Sequence, residues 1–468
     1  MAGPVDLVIF GASGDLTARK VLPALAGLGS RNVLPRDLHL VGVGRSDLGT
    51  DGFRKRIADA AGDGAGEFGA AAEWVRLKYD DAATYGPLRD QLREGATAIF
   101  YLATPPSAFL PIVRALAASG LAEKDGADRR IVLEKPLGQD LASARELNRE
   151  LGRVFDEPSI FRIDHYLAKD TVQNVLAFRF SNSVFEPIWN RTLIETIQVT
   201  AAEDGGIGGR AGYYDRIGAL RDMIQNHVLQ VLALVTMEPP ITFDPEDIRR
   251  AKRMALRAIE PLDPATAVRG QYEGYADSEG VDPSTTRETY VAAMVRFDNW
   301  RWDGVPMFIR TGKCLKRRVT EVVIRFRDAP HLRLGGRKQR GIPTLLVIRI
   351  QPEEGITLRI GAKRPGARFE MVPAGMHLEY AKLSRSHLPD AYEHVLSEVL
   401  AGGHNVFPSG EEIELQWAIV EPLIKAWEAD GHPELYAPDT WGPGAAEDLV
   451  AAGGGGRWIN SGDEPGTR

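Results

Sequence analysis

Val5-Asp6-Leu7-Val8-Ile9-Phe10-Gly11-Ala12-Ser13-Gly14-Asp15-Leu16 opens the chain as an apolar run that stops abruptly in a glycine turn. The apolar half reads as a buried strand. Thr17–Leu28 follows at once, with Val21, Leu22, Leu25 and Leu28 at helical spacing around Pro23. Strand, glycine turn and helix in that order make the first unit of a doubly wound sheet. Glycine lets the backbone bend sharply and approach a pyrophosphate, and the free amides of the helix N-terminus then face the phosphates. Ser13 adds a hydroxyl donor. The spacing is not the full G-x-G-x-x-G, and plain strand-to-helix turns look similar. Its place as the first turn of such a domain favours a dinucleotide.

The alternation continues downstream. His39–Val43 reads as a strand ending in Gly44-Arg45-Ser46, Phe53–Ala61 as a helix, and Ala96–Ala103 as a strand ending in Thr104-Pro105-Pro106. Ile112–Ala118 is a helix, and Arg130–Glu134 a strand ending in Lys135-Pro136. Turns at successive strand C-termini predict a parallel, Rossmann-like sheet over residues 1–160. Beyond residue 160 the pattern changes. Ile194–Ala201, Tyr290–Phe297, Val319–Phe326 and Leu345–Ile350 are strand-like and separated by turns. Tyr213–Leu234, Leu388–Leu400 and Glu411–Ala429 read as helices. Residues 161–468 are therefore expected to form an α+β domain around a large, mainly antiparallel sheet. The glycine run Ala452–Gly456 is expected to be mobile.

Composition bounds the function. The chain has 468 residues, too many for one core, and 44% hydrophobic with 26% charged residues is ordinary globular usage. A net charge of −7 gives no general basic surface for nucleic acid. An anionic ligand must therefore meet a local basic cluster. Cys314 is the single cysteine, so no internal disulfide and no Cys/His metal site is expected. The apolar run Leu7–Phe10 is too short for a signal peptide or a membrane span. A cytoplasmic protein with no membrane association is the expectation.

Arg45 bears on the choice of cofactor. An acidic residue at the end of the second strand usually holds the ribose 2′-OH of NAD, whereas arginine suits a 2′-phosphate. NADP is favoured, and Asp47 just beyond leaves NAD open. Lys135 closes a later parallel strand, at the edge where ligands gather, and is equally readable as a surface lysine.

Arg162-Ile163-Asp164-His165-Tyr166-Leu167-Ala168-Lys169-Asp170 is the densest chemical stretch. With Asp164 as an N-cap, His165 and Lys169 fall four apart on one helix face, an anion pocket in the making. Arg221-Asp222-Met223-Ile224-Gln225-Asn226-His227 carries polar groups on a long apolar helix. They either satisfy one another in the core or line a cleft. Oxidising an alcohol by hydride transfer needs a base for the hydroxyl proton, and histidine suits that work.

These segments closely resemble the glucose-6-phosphate dehydrogenase family. The likeness covers nearly the whole chain. It runs through Gly11–Leu16, Glu134-Lys135-Pro136-Leu137-Gly138, Arg162–Leu167, Arg221–His227, Arg310-Thr311-Gly312-Lys313 and Trp441-Gly442-Pro443. The resemblance implies oxidation of glucose 6-phosphate at C1 by NADP. It makes His227 the general base and Asp164 its carboxylate partner. His165, assisted by Tyr166, would hold the sugar phosphate, and Lys169 a substrate hydroxyl or phosphate. Glu203 and Asp222 resemble ligands of the sugar hydroxyls, and Lys313 and Arg318 the basic pair over the substrate. Gly11, Ser13, Gly14, Asp15, Leu16 and Arg45 are implied at the cofactor, and Lys135 between cofactor and substrate. Ala168 and Asp170 replace the family's usual glycine and glutamate, and Arg317 competes with Arg318 for its role. A homodimer or a dimer of dimers is implied. The animal enzymes' extra structural NADP site finds no good match. Another sugar or inositol oxidoreductase, or a nucleotide-binding sensor without catalysis, would share the first domain but not the order of the later motifs.

Overall fold

Val5–Phe10 is buried at all six positions, as an apolar strand must be when both faces of its sheet are covered. A computed structural model describes residues 3–124, 126–331, 333–334, 337–338, 341–366, 369–383, 390–429 and 431–463. In it, β1 (Val5–Phe10), β2 (Leu38–Gly44), β3 (Glu73–Arg76), β4 (Thr97–Leu102), β5 (Arg129–Leu133) and β6 (Ile160–Arg162) form one sheet. The order is β3-β2-β1-β4-β5-β6, with every pair parallel. This is the doubly wound, Rossmann-like arrangement expected. The reversal of strand order lies between β1 and β4, where such sheets bind ligands at the strand C-termini.

The chain divides into two compact units. The first joins Met1–Lys169 to Pro240–Arg250 and Pro389–Glu414. Arg130 Nη1 donates to Val399 O at 2.7 Å, Asn148 Nδ2 to Gly410 O at 3.0 Å, and Arg249 Nε to Phe407 O at 2.9 Å. Each of these bonds spans far-separated sequence, so local patterning could not announce the two added segments.

The second unit holds a nine-stranded sheet. Its strands are β7 (Ile194–Ala202), β8 (Ala267–Tyr272), β9 (Tyr290–Val295), β10 (Met307–Gly312) and β11 (Val319–Phe326). After a small hairpin of β12 (Arg333–Leu334) and β13 (Arg337–Lys338) come β14 (Leu345–Gln351), β15 (Gly355–Lys363), β16 (Met371–Glu379) and β17 (Glu434–Tyr436). The order is β16-β15-β14-β11-β7-β10-β9-β8-β17. Only β7 with β10 and β8 with β17 run parallel; the other pairs are antiparallel. The mainly antiparallel α+β sheet is thus present, with more strands than periodicity disclosed.

Two local expectations change. The stretch read as one helix over Tyr213–Leu234 is broken at Gly218, whose φ of +71° suits glycine. A Cβ there would lie 2.2 Å from the Glu288 carboxylate, which accepts the amide of Leu220. The glycine run near the C-terminus is packed. A Cβ on Gly455 would meet the Phe308 ring at 2.4 Å, and the following Arg457 and Ile459 bond to Gln198 of β7. No helix among the described residues is long and apolar enough to cross a membrane.

Candidate active site

The glycine turn sits at the C-terminal end of β1. Gly11 and Ala12 donate their amides to Val43 O at 2.9 and 3.2 Å, which bends the chain off the sheet toward β2. Gly11 has φ of +80°, and Gly14 N closes the turn on Gly11 O at 2.8 Å. A helical segment continues from there to Ser30, and its first-turn amides have no intrahelical acceptor. Ser13 and Asp15 are exposed, Gly11, Gly14 and Leu16 half-buried. Asp15 pairs with Arg19 at 2.8 Å on the surface. Arg56, from a helix the sequence showed but whose role it did not, donates to Gly14 O at 2.9 Å and steadies the turn.

Arg45 follows the end of β2 and is exposed, its guanidinium 5.6 Å from the centre of the Tyr79 ring. Burial raises the Tyr79 hydroxyl above its ordinary range, and the nearby Arg45 charge pulls it down. These donors fit a phosphorylated dinucleotide: helix-terminal amides for the pyrophosphate and a cation at the end of β2 for a 2′-phosphate.

Lys135, half-buried, follows the buried Glu134 after β5. Burial pushes the Glu134 carboxyl up, while bonds from Tyr101 and Tyr392 and the charge of Lys135 pull it down. The Tyr101 hydroxyl donates to it at 2.6 Å. Tyr392 was not found from sequence, because it lies on a distant helix, Ala391–Ala401, with no motif of its own. Its ring also stacks on His165, with centroids 6.5 Å apart at 20°. One tyrosine therefore joins the Glu-Lys-Pro turn to the Asp-His-Tyr-Leu stretch.

That stretch is a turn rather than a helix. Asp164 Oδ1 accepts the amide of Tyr166 at 2.9 Å, and the next helix starts only at Asp170. An aspartate that captures the amide two residues on competes with helix formation. His165 and Lys169 therefore do not share a helical face. Both nonetheless pack on Tyr166: the imidazole edge-on at 5.1 Å between centroids, the ammonium 5.0 Å from the ring centre. Asp164 and Tyr166 are buried, His165 and Lys169 half-buried. Arg162, next to the motif, is a structural residue; it is buried and bound to Glu157 at 2.8 Å.

In the second unit the parallel pairing of β7 with β10 sets Ala202 opposite Gly312. The residues just past those ends, Glu203 and Lys313, meet as a close ion pair. An antiparallel neighbour would have sent one of them to the other end of the sheet. Lys313 is buried, with its ammonium 5.3 Å from the centre of the Tyr214 ring. Burial and the charge of Asp222 both raise the Tyr214 hydroxyl above its ordinary range. Arg318 is exposed, whereas the half-buried Arg317 lies 5.4 Å from the Trp441 ring. Arg310 is structural, sandwiched between Trp441 and Trp458 at 4.7 and 4.3 Å.

Asp222 and His227 lie on Leu220–Val228, which is wound as a π-helix and packs against β7 and β10. In an α-helix, positions five apart point well away from each other. The i→i+5 winding brings them toward one side, and such segments frequently mark functional sites. Both are buried, and His227 is 1% exposed. Asn226 Oδ1 accepts the His227 amide at 2.6 Å and Asn226 Nδ2 donates to Arg221 O at 3.2 Å. Asn226 thus serves the backbone network, and Gln416 caps its carbonyl at 3.1 Å.

Comparison with known proteins decides the family. The model for the glucose-6-phosphate dehydrogenase NAD binding domain matches residues 8–174, and that for the C-terminal domain residues 176–459. The chain belongs to the glucose-6-phosphate dehydrogenase family. It is 42% identical to glucose-6-phosphate 1-dehydrogenase 2 of Mycobacterium tuberculosis, over 96% of this chain and 93% of that protein. It is 40% identical to glucose-6-phosphate 1-dehydrogenase of Aggregatibacter actinomycetemcomitans, over 96% of each. Among solved structures, the Mycobacterium avium enzyme superposes with a TM-score of 0.86 at 35% identity, over 98% of this chain and 99% of the other. A glucose-6-phosphate dehydrogenase in complex with its substrate glucose 6-phosphate superposes with a TM-score of 0.89 at 34% identity, over 97% and 98%. This member of the family is therefore an oxidoreductase with an NAD(P)-binding domain, and the turn at Gly11 lies inside that domain.

Proposed function

We propose that this dehydrogenase oxidises D-glucose 6-phosphate at C1 to 6-phosphogluconolactone, with NADP as its preferred acceptor and NAD as the alternative one. The observation that carries the reading is family membership across both domains, together with a buried His227 on the same π-helical segment as the buried Asp222. Bound NADP supplies a hydride acceptor at nicotinamide C4. Gly11, Ser13, Gly14, Asp15, Leu16 and Arg45 hold it, and Lys135 serves cofactor and substrate together. His227 takes the proton from the C1 hydroxyl, with Asp164 as the carboxylate that stabilises the imidazolium. Glu203 and Asp222 accept hydrogen bonds from the sugar hydroxyls. His165, Tyr166, Lys169, Lys313 and Arg318 bind the substrate, the cations supplying the positive charge that a net acidic protein must concentrate locally. The protein is proposed to work in the cytoplasm as a homodimer or dimer of dimers.

The direct test is steady-state reduction of NADP and NAD with glucose 6-phosphate and with glucose. Turnover with the phosphorylated sugar, faster on NADP, is expected. Activity on glucose alone would sink the reading in favour of a different sugar oxidoreductase. Lys169→Ala or His165→Ala should raise the KM for glucose 6-phosphate at least tenfold, since a charge-assisted contact to a phosphate is worth roughly 1.5–3 kcal/mol. An unchanged KM in both variants would remove that pair from the phosphate.

A further inference from the structure

The ends of β2 and β3 bring two exposed arginines, Arg45 and Arg76, to one edge of the sheet. β2 and β3 pair in parallel with Gly44 opposite Arg76, so both chains emerge at the same edge of the sheet. Leu77 N donates to Gly44 O at 3.1 Å and prolongs the ladder by one residue. Arg76 Nε then donates to Arg45 O at 3.2 Å, which fixes the Arg76 side chain against the residue after β2. Arg45 itself rests on Tyr79. Both arginines are exposed, and among the described residues neither forms an ion pair. The acid on the same strand, Glu73, is occupied elsewhere, by Arg54 and Thr50 at 3.1 Å each. Gly44 keeps the corner narrow, since a Cβ there would strike the Trp74 ring at 2.6 Å.

Two like charges held together without a counter-charge repel, and the repulsion falls when an anion lies between them. In a doubly wound sheet the end of the second strand faces the adenosine ribose, not the pyrophosphate. We propose that Arg76 joins Arg45 in a two-arginine clamp on the 2′-phosphate of NADP and is a second determinant of preference over NAD. The inference rests on the dinucleotide reading above. Guanidinium groups suit it because each presents a planar fork of donors to phosphate oxygens. The clamp was not visible in the sequence because β3 is four residues long and Arg76 lies 31 positions from Arg45.

The test titrates the full-length protein with 2′,5′-ADP and with 5′-AMP, which differ by the 2′-phosphate alone. Arg76→Gln should weaken 2′,5′-ADP about tenfold and leave 5′-AMP within about twofold. Arg45→Gln should do the same, and the double variant should lose less than the product of the two, because the arginines share one anion. Steady-state rates should follow, with the NADP-to-NAD ratio of kcat/KM falling about tenfold in Arg76→Gln. Equal losses for both ligands in Arg76→Gln, or no loss, overturn the clamp. If Arg45→Gln alone changes the selectivity, the 2′-phosphate site stands and Arg76 is excluded from it. If glucose 6-phosphate is not turned over at all, the proposed reaction falls, and the two isotherms still decide the role of Arg76.

Discussion

Replacing His227 with Asn should lower kcat by roughly 10²–10⁴-fold, the usual contribution of a positioned general base, while the KM for glucose 6-phosphate stays within about threefold. Asparagine keeps the size and a hydrogen-bonding tip but cannot accept the hydroxyl proton. His227 is buried, and its backbone amide is pinned by Asn226, so the substitution should change chemistry more than structure. Asn226 is in turn held by the Arg221 carbonyl, which keeps the support intact in the variant. Stopped-flow measurement of the first turnover separates the chemical step from product release. A raised KM with normal kcat would make His227 a binding residue. Unchanged kinetics would remove it from the mechanism, and a buried imidazole in a polar helix network would then be its whole role.

The parts of this reading that were legible share one property: their signal is local. β1, β2, β4 and β5 are apolar runs that end in turn residues, and a parallel sheet buried on both faces writes itself that way. β3 and β6 escaped because they are four and three residues long, too short for a period to repeat. β16 is long but has no buried residue, half-buried at first and exposed over its last four residues, so burial imposes no alternation on it. The candidate site divides similarly. Asp164, His165 and Lys169 stand out as a cluster of types, yet their shared helical face was wrong because one side-chain bond to Tyr166 outweighed propensity. Tyr392 and Tyr214 carry no local signal; they become informative only once the rings of His165 and the charge of Lys313 are found against them. The pairing of Glu203 with Lys313 depends on strand direction, which spacing does not encode.

Gly11→Ala should abolish measurable NADP binding and lower stability, whereas Gly14→Ala should weaken binding with a smaller structural effect. Two independent costs fall on position 11. Its φ of +80° is a left-handed conformation, which costs a residue with a Cβ on the order of 1–3 kcal/mol. The new methyl carbon would also lie 2.4 Å from Ala103 O and 3.0 Å from the carbonyl carbon behind it. Neither atom belongs to a flexible side chain. Ala103 is fixed because its amide donates to Phe10 O at 3.0 Å, one residue beyond the β1–β4 ladder. Relief therefore requires β1 and β4 to part at the switch point, or Gly11 to leave its turn and take the amides of the following helix with it. Gly14 has no positive φ, and a Cβ there would be 3.0 Å from Gly11 O, a tight contact but longer than the 2.4 Å at position 11 and without the cost of a left-handed backbone. Denaturant midpoints and NADP isotherms on the two variants check the gradient. Wild-type affinity in Gly11→Ala would mean that the dinucleotide does not depend on this turn. Equal damage from both alanines would show that general disturbance of the loop, rather than the closeness of β4, is what makes glycine necessary there.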